Sequence, residues 1–369
     1  MDEKMDYHVI SGAEDPSEAW DQFVSRHPNG HVMQSRAWAA VKRQAGWRPL
    51  FLHLEADGQI QATALFLERG LLAPGSGLLY APHGPVLDYA NSDLVEAFGA
   101  AIRQVAQERG AFLVQADPAV PLKQAGAQDA LERMGFRRKD KKGLFRVSQP
   151  YRVMQIPLER YGGPEGLFRA LPHKTRYNIR LAERKGVTIV PRTDAEACQE
   201  FHQLLWDNGR AKGFPVRGFK FHQAIWTNCV QKGLGEYLFA HHEGRVLAAI
   251  QVLSFGSCAW YMYGASVEED RNLMPTYLLQ WTAIERAWKA GARCYDMRGI
   301  YSLTPHPSDP EYGVYDFKRK FNAEVVQFVG EYDLVIRPAV YALWSRMECA
   351  AQTPAEWAYR LWQRTRLSA

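Results

Sequence analysis

The sequence of 369 residues has no long hydrophobic run: no window approaches the roughly 18 apolar residues that a membrane-spanning helix needs. Its first residues, MDEKMDYHVI, are acidic and lack the apolar stretch of a secretory signal. There are only five cysteines, and none forms a CxxC pair. This spacing predicts neither a zinc site nor a disulfide framework and fits a reducing compartment. We therefore expect a soluble, cytoplasmic protein.

Motifs of several enzyme classes are also missing. The sequence contains no HExxH, no HxH with a suitably spaced acid and no Walker loop, and the adjacent His241 and His242 flank a predicted turn. Gly75-Ser76-Gly77 is not part of a GxSxG elbow. We therefore expect no metal and no nucleotide cofactor.

The composition is that of an ordinary globular protein, with 47% hydrophobic and 23% charged residues. The length is sufficient for two domains with separate cores. The net charge of +5 is too small to identify a polyanionic partner by itself.

The two halves of the sequence repeat one order of elements. Residues 47–68 read as a hairpin with an Asp57-Gly58 turn, and residues 237–264 as a hairpin with a Glu243-Gly244 turn and a third strand. An amphipathic helix closed by glycine follows each, at 93–110 and 275–291. A short apolar strand with a carboxylate at its end, Asp117 or Asp296, comes next. Both halves therefore predict the same mixed α/β unit.

This order is typical of acetyl-CoA-dependent acyltransferase domains, which makes acyl transfer from coenzyme A the first enzyme hypothesis. Such domains hold the pyrophosphate with a glycine-rich turn at the start of the central helix, because glycine lets backbone N–H groups approach the phosphates. The corresponding stretches here, DYANSDLVEAF and EEDRNLMPTYLLQW, contain no glycine. Coenzyme A binding is not expected in either half.

Residues 312–336 combine aromatic and basic side chains in one short segment. Tyr315, Phe317 and Phe321 alternate with Lys318, Arg319 and Lys320, and residues 324–332 read as a strand. Aromatic rings stack on bases and sugars, while ammonium groups meet phosphates or a developing oxyanion. The segment is either a site or a strand preceded by a solvated basic stretch.

A second basic feature lies between Pro172 and Gly186, which are typical of a helix start and stop. Arg176, Arg180 and Arg184 recur at every fourth position and would form one stripe on this helix. Such a stripe suits a phosphate backbone, although a solvated helix face is the commoner meaning of an arginine stripe.

Six motifs, in order, resemble the FemABX family of peptidoglycan branch-forming aminoacyltransferases over residues 34–336. They are QSRAWAAVKRQAGW, YAPHGPVLDY, LPHKTRYNIRLAERKGV, YGASVEEDRNLMPTYLLQW, YDMRGI and YGVYDFKRKFNAEVVQFVGEYDLVI. The resemblance implies two tandem acetyltransferase-like (GNAT-like) domains without coenzyme A, at 1–150 and 151–336. A C-terminal helix at 337–369 would complete the first domain. No coiled-coil arm is expected, because residues 201–237 leave room only for short helices.

The resemblance also implies an activity and its substrates. An amino acid would pass from aminoacyl-tRNA to the side-chain amine of the pentapeptide stem of a peptidoglycan precursor, either UDP-MurNAc-pentapeptide or lipid II. We expect a monomer. The C-terminal tail, with three tryptophans and five arginines against two glutamates, either covers the first domain or touches an anionic membrane surface.

Site residues follow from the resemblance only where a motif is readable. Lys42 matches a lysine that contacts the precursor's diphosphate, near Trp38, and Arg217 is its partner. Asp117 and Tyr263 match residues near the acceptor peptide, and Phe317 and Lys318 match the FK pair of the transfer site. Without the resemblance, Lys42 and Trp38 read as a surface lysine beside a core tryptophan, and Asp117 as the cap of a loop.

The chemistry of these residues fits aminolysis of an activated ester. Lys318 would stabilise the tetrahedral oxyanion, and Phe317 would stack on the terminal adenosine of tRNA, a contact worth about 1–3 kcal/mol. Arg176, Arg180 and Arg184 are candidate tRNA contacts. Two other hypotheses remain: an aminoacyl-tRNA:protein transferase, which would not need Lys42 and Arg217 as diphosphate ligands, and a non-catalytic protein that binds tRNA or cell-wall precursor.

Overall fold

A computed structural model describes residues 6–70, 77–139, 149–300, 302–309 and 312–346. In the first half the helices are α1 (Glu18–Arg26), α2 (Arg36–Gln44), α3 (Ser92–Glu108) and α4 (Ala127–Arg133). The strands of that half are β1 (His8–Gly12), β2 (Arg48–Ala56), β3 (Gln59–Gly70), β4 (Gly77–Ala81), β5 (Val86–Leu87), β6 (Ala111–Ala116) and β7 (Arg137–Arg138).

The second half contains further helices around its sheet. They are α5 (Pro164–Ala170), α6 (His173–Arg184), α7 (Ala195–Lys212), α8 (Phe219–Ile225), α9 (Pro275–Lys289) and α10 (Tyr312–Arg319). The strands are β8 (Arg152–Pro157), β9 (Thr188–Arg192), β10 (Gly235–His242), β11 (Arg245–Phe255), β12 (Cys258–Ser266), β13 (Cys294–Gly299), β14 (Glu324–Gln327) and β15 (Tyr332–Val335). The mixed α/β class is confirmed.

Each half is built on one sheet that contains a single parallel pair among its named strands. The first sheet runs β1-β2-β3-β4-β6-β15-β7, with β5 on β3, and the second runs β14-β8-β13-β12-β11-β10-β9. The parallel pairs are β4 with β6 and β12 with β13. The pairing of β12 with β13 ends at Trp260 and Asp296, and the two strands then separate. The halves therefore share one layout, as the repeat predicts.

The local predictions for the repeats are confirmed. Both hairpin turns have two successive residues with positive φ, Asp57 and Gly58 at 52° and 71°, and Glu243 and Gly244 at 47° and 76°. This is the type I′ geometry that matches the twist of the flanking strands. Helix α9 lies within its predicted range, and α3 begins at Ser92, one residue before its predicted start. Asp296, however, lies inside β13 rather than at its end.

At the starts of the two central helices, other residues stand where a coenzyme A site has its glycine-rich turn. At α3 the side chain of Asn91 accepts a hydrogen bond from the Leu94 amide at 3.1 Å, which uses an N–H group that could otherwise face an anion. At α9 the first residue is Pro275, which has no amide hydrogen to donate. Neither helix start has the glycine turn of a coenzyme A site.

The strand predicted at 324–332 is wrong in one respect, because it is two strands in different sheets. β14 pairs with β8 of the second sheet, whereas β15 pairs with β6 and β7 of the first. The chain crosses between the sheets at residues 328–331, where Gly330 adopts a φ of +96°. The predicted end of the second half at residue 336 is thus corrected to this crossing, while the division into two domains stays a prediction.

The beginning of the predicted C-terminal helix contacts the first half. Residues 338–346 are helical, and the ring of Trp344 lies 5.7 Å from that of Phe112. The Tyr341 hydroxyl donates a hydrogen bond to Asp333 at 2.8 Å. Residues 347–369 lie outside the described residues. Between residues 195 and 237, all of them described, α7, α8 and a π-helical turn (Trp226–Val230) are present and no coiled-coil arm is formed.

The glutamine and serine of the QS motif hold α2 in place. The buried Gln34 amide donates to the Pro82 carbonyl at 2.8 Å and accepts from the Leu65 amide at 2.8 Å, which ties the start of α2 to β3 and to the segment after β4. Ser35 caps α2 by accepting a hydrogen bond from the Trp38 amide at 3.1 Å. The motif therefore fixes the helix that carries Lys42.

Replacing Gln34 by alanine should lower the free energy of unfolding by about 3 kcal/mol, because it leaves two buried backbone groups without partners. Gln59 is exposed in β3, so Gln59→Ala should change stability by less than about 0.5 kcal/mol. Urea denaturation of both variants compares them directly. Equal stability of the two variants would show that the Gln34 hydrogen bonds do not support α2.

Candidate active site between the two halves

The two halves meet through a shared hydrophobic core. α2 of the first half packs against α8 of the second. The core between them combines side chains from both halves: Trp20, Val24, Val32, Met33, Trp38, Ala224, Ile225, Cys229, Leu253 and Trp260. Phe221 and Tyr263 pack against this core, whereas Phe317 packs against the core of the second half.

Lys42 and Arg217 come together from opposite halves of the chain. The Lys42 ammonium lies 5.6 Å from the centroid of the Phe221 ring, and the Arg217 guanidinium lies 4.9 Å from the same ring. Lys42 is also 5.4 Å from the ring of Trp38. The family resemblance names these two residues as partners. Two cations that share one aromatic ring form a positive surface with no carboxylate in ion-pair distance among the described residues, which suits an anion with two charges.

The environment of Lys42 differs from that of a surface lysine. Burial lowers the pKa of Lys42 to about 8, and the charge of Arg217 lowers it in the same direction. Trp38 is buried, and its indole N–H has no hydrogen-bond partner among the described residues. Trp38 thus belongs to the core, while Lys42 is a partly desolvated cation.

Tyr263, on β12, lies close enough to both Arg217 and Arg298 for their charges to act on its hydroxyl. Burial raises the pKa of its hydroxyl, and Arg217 and Arg298 both act to lower it. The ring of His222 lies 5.1 Å from the Tyr263 ring. Burial lowers the pKa of His222 to about 4, with smaller contributions from His202 and Arg217, so this imidazole is neutral at pH 7.

Asp117 holds the loop that follows β4. One carboxylate oxygen accepts a hydrogen bond from the Tyr80 hydroxyl at 2.7 Å, and the other accepts from the His83 amide at 2.7 Å. These bonds agree with the loop-capping hypothesis. Asp117 also lines a cavity of about 10 Å³ with Gln149 and Glu331, which is room for about one water molecule.

Three residues at the interface are missing from the sequence-based site: His31, His83 and Arg298. The buried rings of His31 and His83 stack at 3.9 Å, and burial and Arg298 lower the pKa of both. Arg298 has a φ of +64°, its amide donates to Asp296 at 2.6 Å, and its guanidinium donates to Gln149 at 3.1 Å. The motifs YAPHGP and YDMRGI contain His83, which closely follows β4, and Arg298, which lies near the end of β13. A charged or polar residue at the end of a buried strand was the available signal.

Lys318 and Phe317 lie on α10, beside the end of β13. The buried Lys318 ammonium donates to the backbone carbonyls of Gly299 at 2.7 Å and Arg298 at 3.2 Å. Its charge also acts to lower the pKa of the buried Asp296, which burial raises. The lysine is therefore a fixed charge at the end of the strand that separates from β12.

Phe317 belongs to an aromatic cluster. Its half-buried ring lies 5.4 Å from Tyr277 and 5.3 Å from Phe321. Arg319 and Lys320 both pair with Asp316. These two residues therefore match the solvated basic stretch that was one of the two interpretations of residues 312–336.

The arginine stripe lies on α6 as predicted. Arg180 and Arg184 are exposed, and Arg176 is half-buried with its guanidinium donating to the Arg169 carbonyl at 2.9 Å. The opposite face of the helix is buried through Thr175, Asn178, Ile179 and Ala182. The stripe and the Lys42–Arg217 pair lie on different elements, and no contact between them is present among the described residues.

Taken together, the fold and site define a class: a tandem acetyltransferase-like protein whose helix starts lack the coenzyme A glycines and whose cations meet between the halves. The FemAB family model matches residues 16–234 and 229–348. The chain belongs to the FemAB family, which confirms the resemblance seen in the motifs.

Similar proteins agree with this assignment. A protein of Staphylococcus aureus strain USA300 named lipid II:glycine glycyltransferase is 25% identical over 392 aligned positions, covering 88% of this chain and 92% of that protein. The crystal structure of FemX matches with a TM-score of 0.83 and 23% identity, over 91% of this chain and 99% of that one. A tandem GNAT protein from the clavulanic acid biosynthesis pathway matches at a TM-score of 0.53 and 13% identity, over 90% and 99%. These structures confirm the tandem acetyltransferase-like fold.

None of the helices in the described part of the chain combines the length and apolar character that crossing a bilayer requires.

Proposed function

We propose that the protein is an aminoacyltransferase that moves an amino acid from aminoacyl-tRNA to the side-chain amine of a peptidoglycan precursor's pentapeptide stem. The observation that carries this proposal is the meeting of Lys42 and Arg217 on the Phe221 ring. A diphosphate has two adjacent negative charges, and two cations held by one ring complement it. Lipid II and UDP-MurNAc-pentapeptide both contain that group, and the name of the S. aureus relative supports the lipid-linked form.

The transfer step would use Lys318 as a fixed charge. The amine nitrogen attacks the carbonyl carbon of the ester that joins the amino acid to the terminal ribose. The carbonyl oxygen becomes an oxyanion, which the Lys318 ammonium would stabilise. Collapse of this intermediate breaks the ester C–O bond, forms the amide and returns the ribose hydroxyl after the amine has lost a proton. Because the ester is already activated, positioning and charge stabilisation are the main requirements.

The remaining residues would orient the two substrates. Phe317 would stack on the terminal adenosine, and Tyr263 and Asp117 would line the path of the acceptor peptide. The exposed Arg180 and Arg184 and the half-buried Arg176 would contact the donor tRNA, since arginines on one helix face suit a polyanion. Trp38 would support Lys42 through its ring.

The Lys42–Arg217 pair separates this proposal from an aminoacyl-tRNA:protein transferase, which has no diphosphate to bind. A non-catalytic binding protein would use the same pair, because it would hold the precursor without transferring an amino acid to it. The cytoplasmic location, a monomeric state and membrane contact by the tail stay predictions.

The test is incubation of the purified protein with a pool of charged tRNAs and either UDP-MurNAc-pentapeptide or lipid II. A mass increase of one amino acid residue on either acceptor supports the proposal, and its size identifies the donor. Transfer to lipid II alone assigns the acceptor. An absence of transfer to both acceptors, with precursor binding intact, would favour the non-catalytic protein.

A further inference from the structure

A pocket of about 420 Å³ lies outside the site described above, between α5, α6 and α9. This volume is within the range of about 300–1,000 Å³ typical of ligand pockets. Its aromatic residues are Phe168 and Trp281, whose ring centroids are 4.9 Å apart. Its charged residues include Arg169, Arg180, Glu183 and Glu285. The proposed transfer mechanism uses neither the aromatic residues nor the carboxylates.

The charged groups of this pocket are not paired with each other. Arg180, Glu183 and Glu285 have no ion-pair partner within 4 Å among the described residues. The Arg180 guanidinium instead lies 5.2 Å from the centroid of the Phe168 ring. The pocket therefore offers a ligand an aromatic surface for stacking, one cation and two carboxylates that accept hydrogen bonds. These features suit a planar ligand that has an amine group and a negatively charged group close to it.

The pocket is connected to the transfer centre along α9. Tyr277, whose ring is 5.4 Å from Phe317, is followed by Trp281 one turn later and by Glu285 two turns later. At a rise of about 1.5 Å per residue, these positions lie about 6 Å and 12 Å further along the helix. At about 3.4 Å per stacked nucleotide, this distance corresponds to about two to four nucleotides of a single strand.

We propose that the pocket binds the base of one unpaired nucleotide from the 3′ single strand of the donor tRNA, a base with an exocyclic amine such as cytosine or adenine. The inference rests on the proposed function, because it requires a tRNA donor. Phe168 and Arg180 stack on the base, and the carboxylates of Glu183 and Glu285 accept hydrogen bonds from its amine. Arg176 and Arg184, on the same helix as Arg180, contact neighbouring phosphates.

The experiment measures binding of an RNA hairpin with a 3′ single-stranded ACCA end, in which each of the four bases is removed in turn. With the wild-type protein, loss of the base that occupies the pocket should weaken binding about tenfold. Phe168→Ala should weaken binding of the intact hairpin by a similar factor. The same variant should lose no further affinity when that base is missing, since the two changes remove one contact.

Tyr177→Ala is the matched control, because Tyr177 is an exposed aromatic residue on α6 that does not line the pocket. The loss of affinity caused by Tyr177→Ala should add to the loss caused by removing any one of the four bases. Arg180→Gln is a second, surface variant in case Phe168→Ala fails to fold, and it should show the same non-additivity. Replacing the bound cytosine by uracil, or the bound adenine by hypoxanthine, should weaken wild-type binding, and Glu183→Gln combined with Glu285→Gln should reduce that discrimination.

Three results would overturn a claim, and they are distinguishable. If the wild-type protein binds the hairpin normally, but the affinity losses from Phe168→Ala and Arg180→Gln add to the loss from removing each of the four bases, no base occupies this pocket. Equal affinity for the amine-bearing base and its keto analogue would exclude the role of the carboxylates. A wild-type protein that binds precursor but neither the hairpin nor charged tRNA would instead refute the tRNA donor of the proposed function.

Discussion

Replacing Lys318 by methionine should reduce the rate of aminoacyl transfer by about 10²- to 10³-fold, the usual effect of removing one group that stabilises an oxyanion. The ammonium is held by the carbonyls of Arg298 and Gly299, so its charge is fixed before substrates arrive. Methionine keeps most of the side-chain volume and removes the charge. Single-turnover transfer at saturating precursor and charged tRNA measures the effect on chemistry alone.

Lys320→Met is the matched control for Lys318→Met. Lys320 lies two residues further along and pairs with Asp316 at the surface, a contact worth at most about 1 kcal/mol. Its loss should leave the transfer rate within a factor of two or three. Circular dichroism of both variants checks that the fold is intact, and precursor affinity should be unchanged in both. Wild-type transfer by a folded Lys318→Met protein would remove Lys318 from the mechanism.

Affinity for the precursor's diphosphate should fall by up to about tenfold as the pH rises from 7 to 9. The pKa of Lys42 is lowered to about 8, so the ammonium is mostly charged at pH 7 and mostly neutral at pH 9. An anion binds the charged form, and the affinity contributed by Lys42 is therefore present below pH 8 and lost above it. Calorimetric titration with UDP-MurNAc-pentapeptide at several pH values measures the change.

Two substitutions at Lys42 isolate the contribution of this residue. Lys42→Met should bind weakly at all pH values and show little pH dependence. Lys42→Arg should retain binding with little pH dependence, because the guanidinium does not deprotonate in this range. An unchanged pH profile in Lys42→Met would assign the dependence to another group, and equal wild-type affinity at pH 7 and pH 9 would show that the Lys42 charge does not contribute.

Much of the fold could be predicted because its signals are local. The Asp57-Gly58 and Glu243-Gly244 turns, the helices ending near Gly110 and Gly291 and the repeated order of elements depend on neighbouring residues. The strand at 324–332 could not be divided by the same reasoning. The residues of β14 and β15 form a nearly continuous strand pattern, and only pairing with β8 and β6, far away in the sequence, assigns them to different sheets.

The site was predicted less completely than the fold. The resemblance names Lys42 and Arg217 as partners, although no periodicity connects them, and in the structure both lie beside the Phe221 ring. The stacked His31 and His83, and the cation Arg298 beside them, were missed because single histidines and arginines are common in any sequence. Their importance comes from burial at an interface between halves, which is a property of the tertiary structure.

The most direct test of the proposed reaction compares donors in one transfer assay. A single charged tRNA, the same tRNA after ribonuclease treatment and an aminoacyl-coenzyme A thioester are each incubated with the protein and lipid II, and the product mass is measured. We expect one added amino acid residue from the intact charged tRNA, and none after ribonuclease or from the thioester, since neither central helix start provides a glycine cradle. Transfer from the thioester, or transfer that survives ribonuclease, would contradict a tRNA-dependent aminoacyltransferase.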